Sequence, residues 1–309
     1  MTPGKVVVFG VPSAAGASRS GVERAPHALR EAGLLTCLRQ LGRSVVNLSD
    51  LSLFPFRADD GQPRARNLQS VACAVRAAAD EMTRALAQGF TLVLGGDCTV
   101  VAGTLAGANQ ALGRPVGLVY IDANADLNTP DTTPSGMLNG MAVSLAIGRG
   151  PAAIPSGRTL AEHVALVGFR ELDPGERHTL GLLGLALSTA AAQRLGMRAS
   201  ALLALDAITN ADGPVLVHLD VDVIDPASMP AKTTVTPGPG LSLDEVRELL
   251  TTLLASPRVV ALEVVEFDPS LDPDGACARR LVDLIGSVLR VAGGLQRTSR
   301  VMLAPPWTR

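Results

Sequence analysis

Cysteine is scarce in this sequence. Cys37, Cys73, Cys98 and Cys277 stand far apart in 309 residues, with no CxxC pair and nothing near the density of a secreted disulfide scaffold, so a reducing compartment fits. Charge is scarce as well, at 18% of residues with a formal net charge of -2. No lysine or arginine run supplies the footprint that nucleic acid or an anionic membrane requires. Apolar stretches are broken by charges or glycine well short of the roughly 20 residues of a spanning helix. The opening segment, MTPGKVVVFGVPSAAG, lacks the charged and apolar regions of a signal peptide. The glycine-rich stretches carry neither a P-loop lysine nor GxGxxG spacing, which sets phosphoryl-transfer and dinucleotide chemistry aside. These absences lead to the expectation of a soluble, cytoplasmic protein with a small-molecule partner, no nucleic acid and no membrane.

Apolar residues are plentiful, at 47% with mean hydropathy +0.28, enough for a large core. Short β-branched runs ending in Gly or Asp begin at Lys5, Arg43, Thr91, Gly117, Val164, Val215 and Val259, and they read as buried parallel strands. Segments with helical spacing lie between them, at 24–38, 67–87, 100–111, 190–205, 243–254 and 277–291. This alternation predicts right-handed βαβ crossovers and an α/β fold, a doubly wound, mainly parallel sheet with helices on both faces. The Pro/Gly-rich patches at 54–63, 149–157 and 232–240 are short enough to be loops, so a single domain spanning 1–309 is expected. The tail prolines Pro305 and Pro306, before Trp307, cannot be helical and suit packing on the surface or on a neighbouring subunit.

In open parallel sheets ligands bind at the carboxyl ends of strands, and here acids follow strand after strand. Asp122 and Asp126 end one, Asp220 and Asp222 close another with Asp225 beyond, Asp97 and Cys98 close a third, and Glu266 follows a fourth. Any single Asp in such a place serves as a turn former or helix cap. Five or more converging carboxylates repel one another and need a cation or strongly raised pKa values. A carboxylate-rich donor set favours hard ions such as Mn²⁺ or Mg²⁺.

At this point seven ordered segments resemble the arginase and agmatinase (ureohydrolase) family over most of the chain. The opening GVPSAAGASRSGVERAPHALREAGL is similar to the family's N-terminal segment. GGDC resembles GGDHS, IDANADLNTP resembles DAHADIN-TP, and TTPSGMLNGM resembles TTxSGNLHGM. LDPGE, HLDVDVIDPASMPA and EVVEFDP resemble VDPGE, FDVDxxDPxxxPA and DxxEVNP. The resemblance implies a three-layer α/β/α domain with an eight-stranded sheet, and hydrolysis of a guanidino group by water activated between two Mn²⁺ ions. It also implies a homo-oligomer, trimer or hexamer. Carried over by position, Cys98, Asp122, Asp126 and Asp220 would hold one ion, and Asn124, Asp122, Asp220 and Asp222 the other. Asp126, Asn139 and Glu266 would take the catalytic positions, Glu266 also pairing with the guanidinium. Asn128, Ser135 and Met137 would face the α-carboxylate of the substrate, and Asp173 with Glu176 its α-amino group.

Three positions depart from the pattern, because Cys98, Asn124 and Asn139 stand where the family has histidine. A Cys98 thiolate ligates divalent ions but, as a soft donor, shifts preference toward Zn²⁺ or Fe²⁺; a free cysteine also serves as a small buried hydrophobe. Asn124 offers only a neutral amide oxygen, which weakens the second ion site, so two ions, one or none are all open. Asn139 has no useful proton affinity for assisting the leaving amine, and Met137 replaces an asparagine and makes its side of the pocket more apolar. The four histidines, His27, His163, His178 and His218, lie outside the motifs; His218 points to the face of Asp220 and reads as a packed core residue. The leading expectation is a metal-dependent hydrolase of arginine or of a modified arginine such as N-hydroxyarginine, giving ornithine with urea or hydroxyurea. A catalytically silent homologue, binding an amino acid or serving a structural role, and a hydrolase of another guanidino or amidino acid are the alternatives.

Overall fold

The computed structural model describes residues 4–292 except 60, 158, 209–211 and 233–235; the tail prolines lie outside the described residues. Eight strands form one all-parallel sheet: β1 (Lys5–Gly10), β2 (Ser44–Asn47), β3 (Phe90–Leu94), β4 (Gly117–Ile121), β5 (Val164–Phe169), β6 (Leu185–Ser188), β7 (Val215–Asp220) and β8 (Val259–Val265). Their order is β2-β1-β3-β8-β7-β4-β5-β6. Among the described residues ten α-helices cover it: α1 (Ala25–Glu31), α2 (Leu34–Gln40), α3 (Leu68–Leu86), α4 (Val100–Leu112), α5 (Ala142–Ala146), α6 (Arg177–Leu180), α7 (Thr189–Leu195), α8 (Met197–Ala207), α9 (Leu243–Ala255) and α10 (Ala276–Leu289). Among the described residues no helix is long and apolar enough to cross a membrane.

The three-layer expectation is met, and the two-residue period of the strands explains how. Val6, Val8, Leu92, Val119, Val217 and Leu262 face one core with α1, α2 and α8–α10. Val7, Phe9, Val93, Leu118, Leu216 and Ala261 face the other with α3, α4 and α5. The seven strand runs all form strands. The eighth, β6, comes from Leu185–Ser188, a four-residue edge strand too short to stand out by composition. The helical segment at 24–38 divides at Gly33, which takes the left-handed φ of 93°, and the segment at 190–205 divides at Gly196, at 85°.

What positions the site is the turn after β3. Its Gly96 packs so closely on the β1 side that a Cβ there would fall 1.8 Å from the backbone oxygen of Ser13. The next residue, Asp97, is fully buried and accepts hydrogen bonds from the Ser13 hydroxyl, the Gly16 and Thr99 backbone N–H groups and the Thr99 hydroxyl. This turn delivers Cys98 to the centre of the sheet while α4 begins. We expect Gly96→Ala to lower stability by about 3 kcal/mol through overpacking, measured by urea denaturation; a loss below about 0.5 kcal/mol would show that the turn has room to shift.

Candidate metal centre and cleft

β4 and β7 are neighbours at the middle of the sheet, and the acids that follow them meet at their carboxyl ends. Asp122, Asp220 and Asp222 each place an oxygen within 4.8 Å of the others, and Cys98 Sγ forms a second such group with Asp220 and Glu266. The Cys98 thiol donates to Asp220 Oδ2 at 3.1 Å, and the Cys98 backbone N–H donates to Glu266 Oε1 at 3.2 Å. Asp126 is in neither group. Its Oδ2 accepts from the Tyr120 hydroxyl at 2.5 Å. Asp126 and Glu266 hold left-handed backbone angles, φ 52° and 63°, a strain that non-glycine residues carry where the surroundings impose it.

Burial pushes the carboxyls of Asp122, Asp126 and Asp220 well above the usual range, and repulsion from neighbouring acids adds to it; for Asp126 the Tyr120 hydrogen bond pulls the other way. Burial, then the same acids, raises the Cys98 thiol and the Tyr120 hydroxyl. Among the described residues, no lysine or arginine pairs with Asp122, Asp126, Asp220 or Asp222. The buried Lys232 ammonium instead donates to the backbone carbonyls of Asp222 and Ile224. Asp122 Oδ2 is buried with no hydrogen-bond partner. Clustered acids with no ion-paired cation among the described residues, one oxygen of them unpartnered, are the donor set that a divalent cation fits.

The two implied ion sets are unequal in the structure. Asp222 Oδ1 accepts from the Ala123 N–H at 3.1 Å, and Oδ2 accepts from the Asn124 side-chain amide at 2.9 Å. Asn124 therefore presents a donor where a cation needs an acceptor. Two other acids named from sequence serve turns: Asp97 as described, and Asp225 by accepting from the Ala227 and Gly240 N–H groups.

Above the acids opens a cleft of about 240 Å³. Asn124 and Asp126 reach it from the acid side, and Asn128, Met137, Asn139, Asp173 and Glu176 line it. Asn128 donates to Asp173 Oδ2 at 2.7 Å. Glu176 accepts from the Leu127 and Asp173 N–H groups, both at 2.8 Å, so its carboxylate fixes the loop that carries Asn128. Asn139 accepts from the adjacent Gly140 N–H. Ser135 is exposed outside that lining, and its hydroxyl accepts from the Met137 N–H at 3.2 Å.

Sequence reasoning missed a polar row below the acids. Tyr120, His218 and Glu263 are register partners across β4, β7 and β8. The signal was present, since each lies two or three residues before a site acid, but contact between them depends on strand order.

A sequence model of the Arginase family matches residues 4–290. The arginase of Bacillus caldovelox is 32% identical over 292 residues, covering 92% of this chain and 97% of that protein. The chain belongs to the arginase family. The native structure of the B. caldovelox arginase superposes with a TM-score of 0.84 over 93% of this chain and 98% of that one. The Entamoeba histolytica arginase solved with L-ornithine, 26% identical, gives 0.82 over 94% and 99%. The arginase family is manganese-dependent, and the groups around Asp122 and Asp220 are candidate ligand sets for such an ion.

A carboxyl whose folded-state pKa stands above its ordinary 3.8 binds more protons folded than unfolded. Its stabilisation is present below the unfolded pKa and is lost as pH rises through the folded one. Metal-free protein should therefore lose Tm as pH rises above the ordinary carboxylate range, and a saturating divalent cation should flatten or reverse that slope. Thermal melts of chelator-treated and cation-loaded protein check this; equal slopes would contradict it.

Proposed function

We propose that the protein is a metal-dependent hydrolase of the guanidino group of arginine or of a modified arginine such as N-hydroxyarginine, releasing ornithine with urea or hydroxyurea. The observation that carries this reading is a set of buried acids without counter-charge at the foot of a cleft lined by Asn128 and Asp173. Residues 1–309 act as one domain in this reading, and the protein works as a homo-oligomer, a trimer or hexamer.

When bound, a divalent cation supplies Lewis acidity that lowers the pKa of the attacking water. The remaining chemistry belongs to the chain. Glu266, 3% exposed, pairs with the guanidinium, a planar cation that a buried carboxylate orients. Asp126 takes the proton released by the attacking water. Asn128 faces the α-carboxylate beside an apolar Met137, with Ser135 reaching it only from the exposed loop outside the cleft lining, while Asp173 and Glu176 face the α-amino end. Asn139 orients the leaving nitrogen but cannot protonate it, and since arginine and N-hydroxyarginine both expel the same ornithine amine, its departure is slowed for either substrate. Cys98, Asp122, Asp126 and Asp220 hold the cation, Mn²⁺ or a softer ion. The Asn124–Asp222 hydrogen bond supports occupancy by one ion rather than two, and it also favours the second reading, a catalytically silent member of the family.

Purified protein supplied in turn with Mn²⁺, Zn²⁺ and Fe²⁺ should release urea from arginine or hydroxyurea from N-hydroxyarginine, and Glu266→Gln should lower kcat/KM about a hundredfold. Neither product with any of the three ions leaves the silent reading. Asn124→His, which exchanges an amide donor for an imidazole lone pair, should add an equivalent of bound Mn²⁺ per chain by elemental analysis; unchanged content would contradict the role given to Asn124.

A further inference from the structure

His218 is completely buried, and its two ring nitrogens have different fates. Nδ1 lies 2.7 Å from Glu263 Oε1, and Glu263 Oε2 accepts from the Thr104 hydroxyl, also at 2.7 Å. The ring stacks on Tyr120 with centroids 4.2 Å apart and planes 8° from parallel. Tyr120 is itself held by its hydroxyl on Asp126. Carboxylate and aromatic partner thus fix both the position and the tilt of the imidazole. Nε2 has no hydrogen-bond partner among the described residues.

A buried, unpartnered polar nitrogen costs free energy and calls for an explanation. In the tautomer that donates Nδ1–H to Glu263, Nε2 keeps a free lone pair, and ligating atoms lie close to this ring. His218, Cys98 and Asp122 each bring one nitrogen, sulfur or oxygen within 4.8 Å of the other two. A point central to three atoms so spaced lies at most about 2.8 Å from each, so side-chain adjustments under about 1 Å reach the 2.0–2.3 Å bonds of a zinc-like ion. An imidazole whose second nitrogen is held by a carboxylate is the usual form of a metal-ligating histidine.

We propose that His218 Nε2, Cys98 Sγ and an Asp122 oxygen form a nitrogen–sulfur–oxygen site for a borderline divalent cation, Zn²⁺, Fe²⁺ or Co²⁺ in preference to Mn²⁺. The imidazole comes from inside the sheet, two residues before Asp220 on β7. On binding, the Cys98 thiol leaves Asp220 and releases its proton to solvent. The soft sulfur and the imidazole set the preference over Mn²⁺. This inference rests on the reading of the centre as a cation site, and it changes which ion and which side chains are involved.

Chelator-stripped protein titrated with Co²⁺ should develop a sulfur-to-cobalt charge-transfer band and the intense visible bands of a four-coordinate ion at one equivalent. Zn²⁺ should abolish both, and equimolar Mn²⁺ should not. X-ray absorption of the zinc-loaded protein should show sulfur and imidazole in the first shell. His218→Gln should remove the imidazole signal, keep the sulfur, and weaken Zn²⁺ binding at least about a hundredfold, while Glu263→Gln weakens it about tenfold. Cys98→Ser should remove the sulfur and keep the imidazole. An all-oxygen shell in the wild type, or unchanged Zn²⁺ affinity in a folded His218→Gln, overturns the proposal. Should His218→Gln not fold, the wild-type and Cys98→Ser spectra decide it. Urea release with an all-oxygen manganese shell would sink this inference while sparing the hydrolase reading; the cobalt spectrum without urea or hydroxyurea would do the reverse.

Discussion

Like charges held together out of water are the constraint to which the rest of this structure answers. Asp122, Asp126, Asp220 and Asp222 are buried at the ends of two adjacent strands, and among the described residues no cationic side chain forms an ion pair with them. An uncompensated buried charge costs more than the roughly 5–15 kcal/mol that stabilises a whole domain, so such a cluster persists only protonated or with a bound cation. The raised carboxyls of Asp122, Asp126 and Asp220 express the first solution, and the unpartnered Asp122 Oδ2 shows where the second enters.

The scaffold keeps those acids from relaxing. Neighbouring parallel strands with buried faces set the row of Tyr120, His218 and Glu263 beneath them, and Asp97 clamps the Gly96–Cys98 turn against the β1 side. Above the row, Asp126 and Glu266 are locked in left-handed backbone, so neither can swing away without unwinding its loop. Rigidity of this kind is what a preorganised site requires, and it comes from backbone packing rather than from the acids themselves.

Much of this was legible in the sequence because it follows from periodicity. Seven strands announced themselves as β-branched runs, and the convergence of Asp122, Asp220, Asp222 and Glu266 followed from their place at strand ends. What escaped depended on contacts. β6 is an edge strand of four residues without the apolar run that marks a central one, and Gly33 and Gly196 divide helices because of left-handed angles that helical spacing does not encode. Asp97 looked like a member of the acid cluster, yet its four hydrogen bonds point back into its own turn and the Ser13 loop. For His218 the face was readable and a packed core residue was the expectation; the stack on Tyr120 and the bond to Glu263 agree with packing, but the bare Nε2 is not explained by it.

The substitutions at Cys98, Asn124 and Asn139 make better sense together than singly. The Asn124 amide donates to Asp222 Oδ2, so that oxygen is taken up by a neutral donor on that side of the cluster. Need for a cation is then concentrated on the side of Cys98 and Asp122, where the donors are softer and His218 stands ready. In the proposed reading a single ion would supply water activation without a second ion's share of substrate and charge stabilisation. Asn139 removes the proton donor for the leaving nitrogen as well. In the proposed reading the first loss falls on charge stabilisation and the second on the departure of the amine, so both slow hydrolysis of the guanidino group.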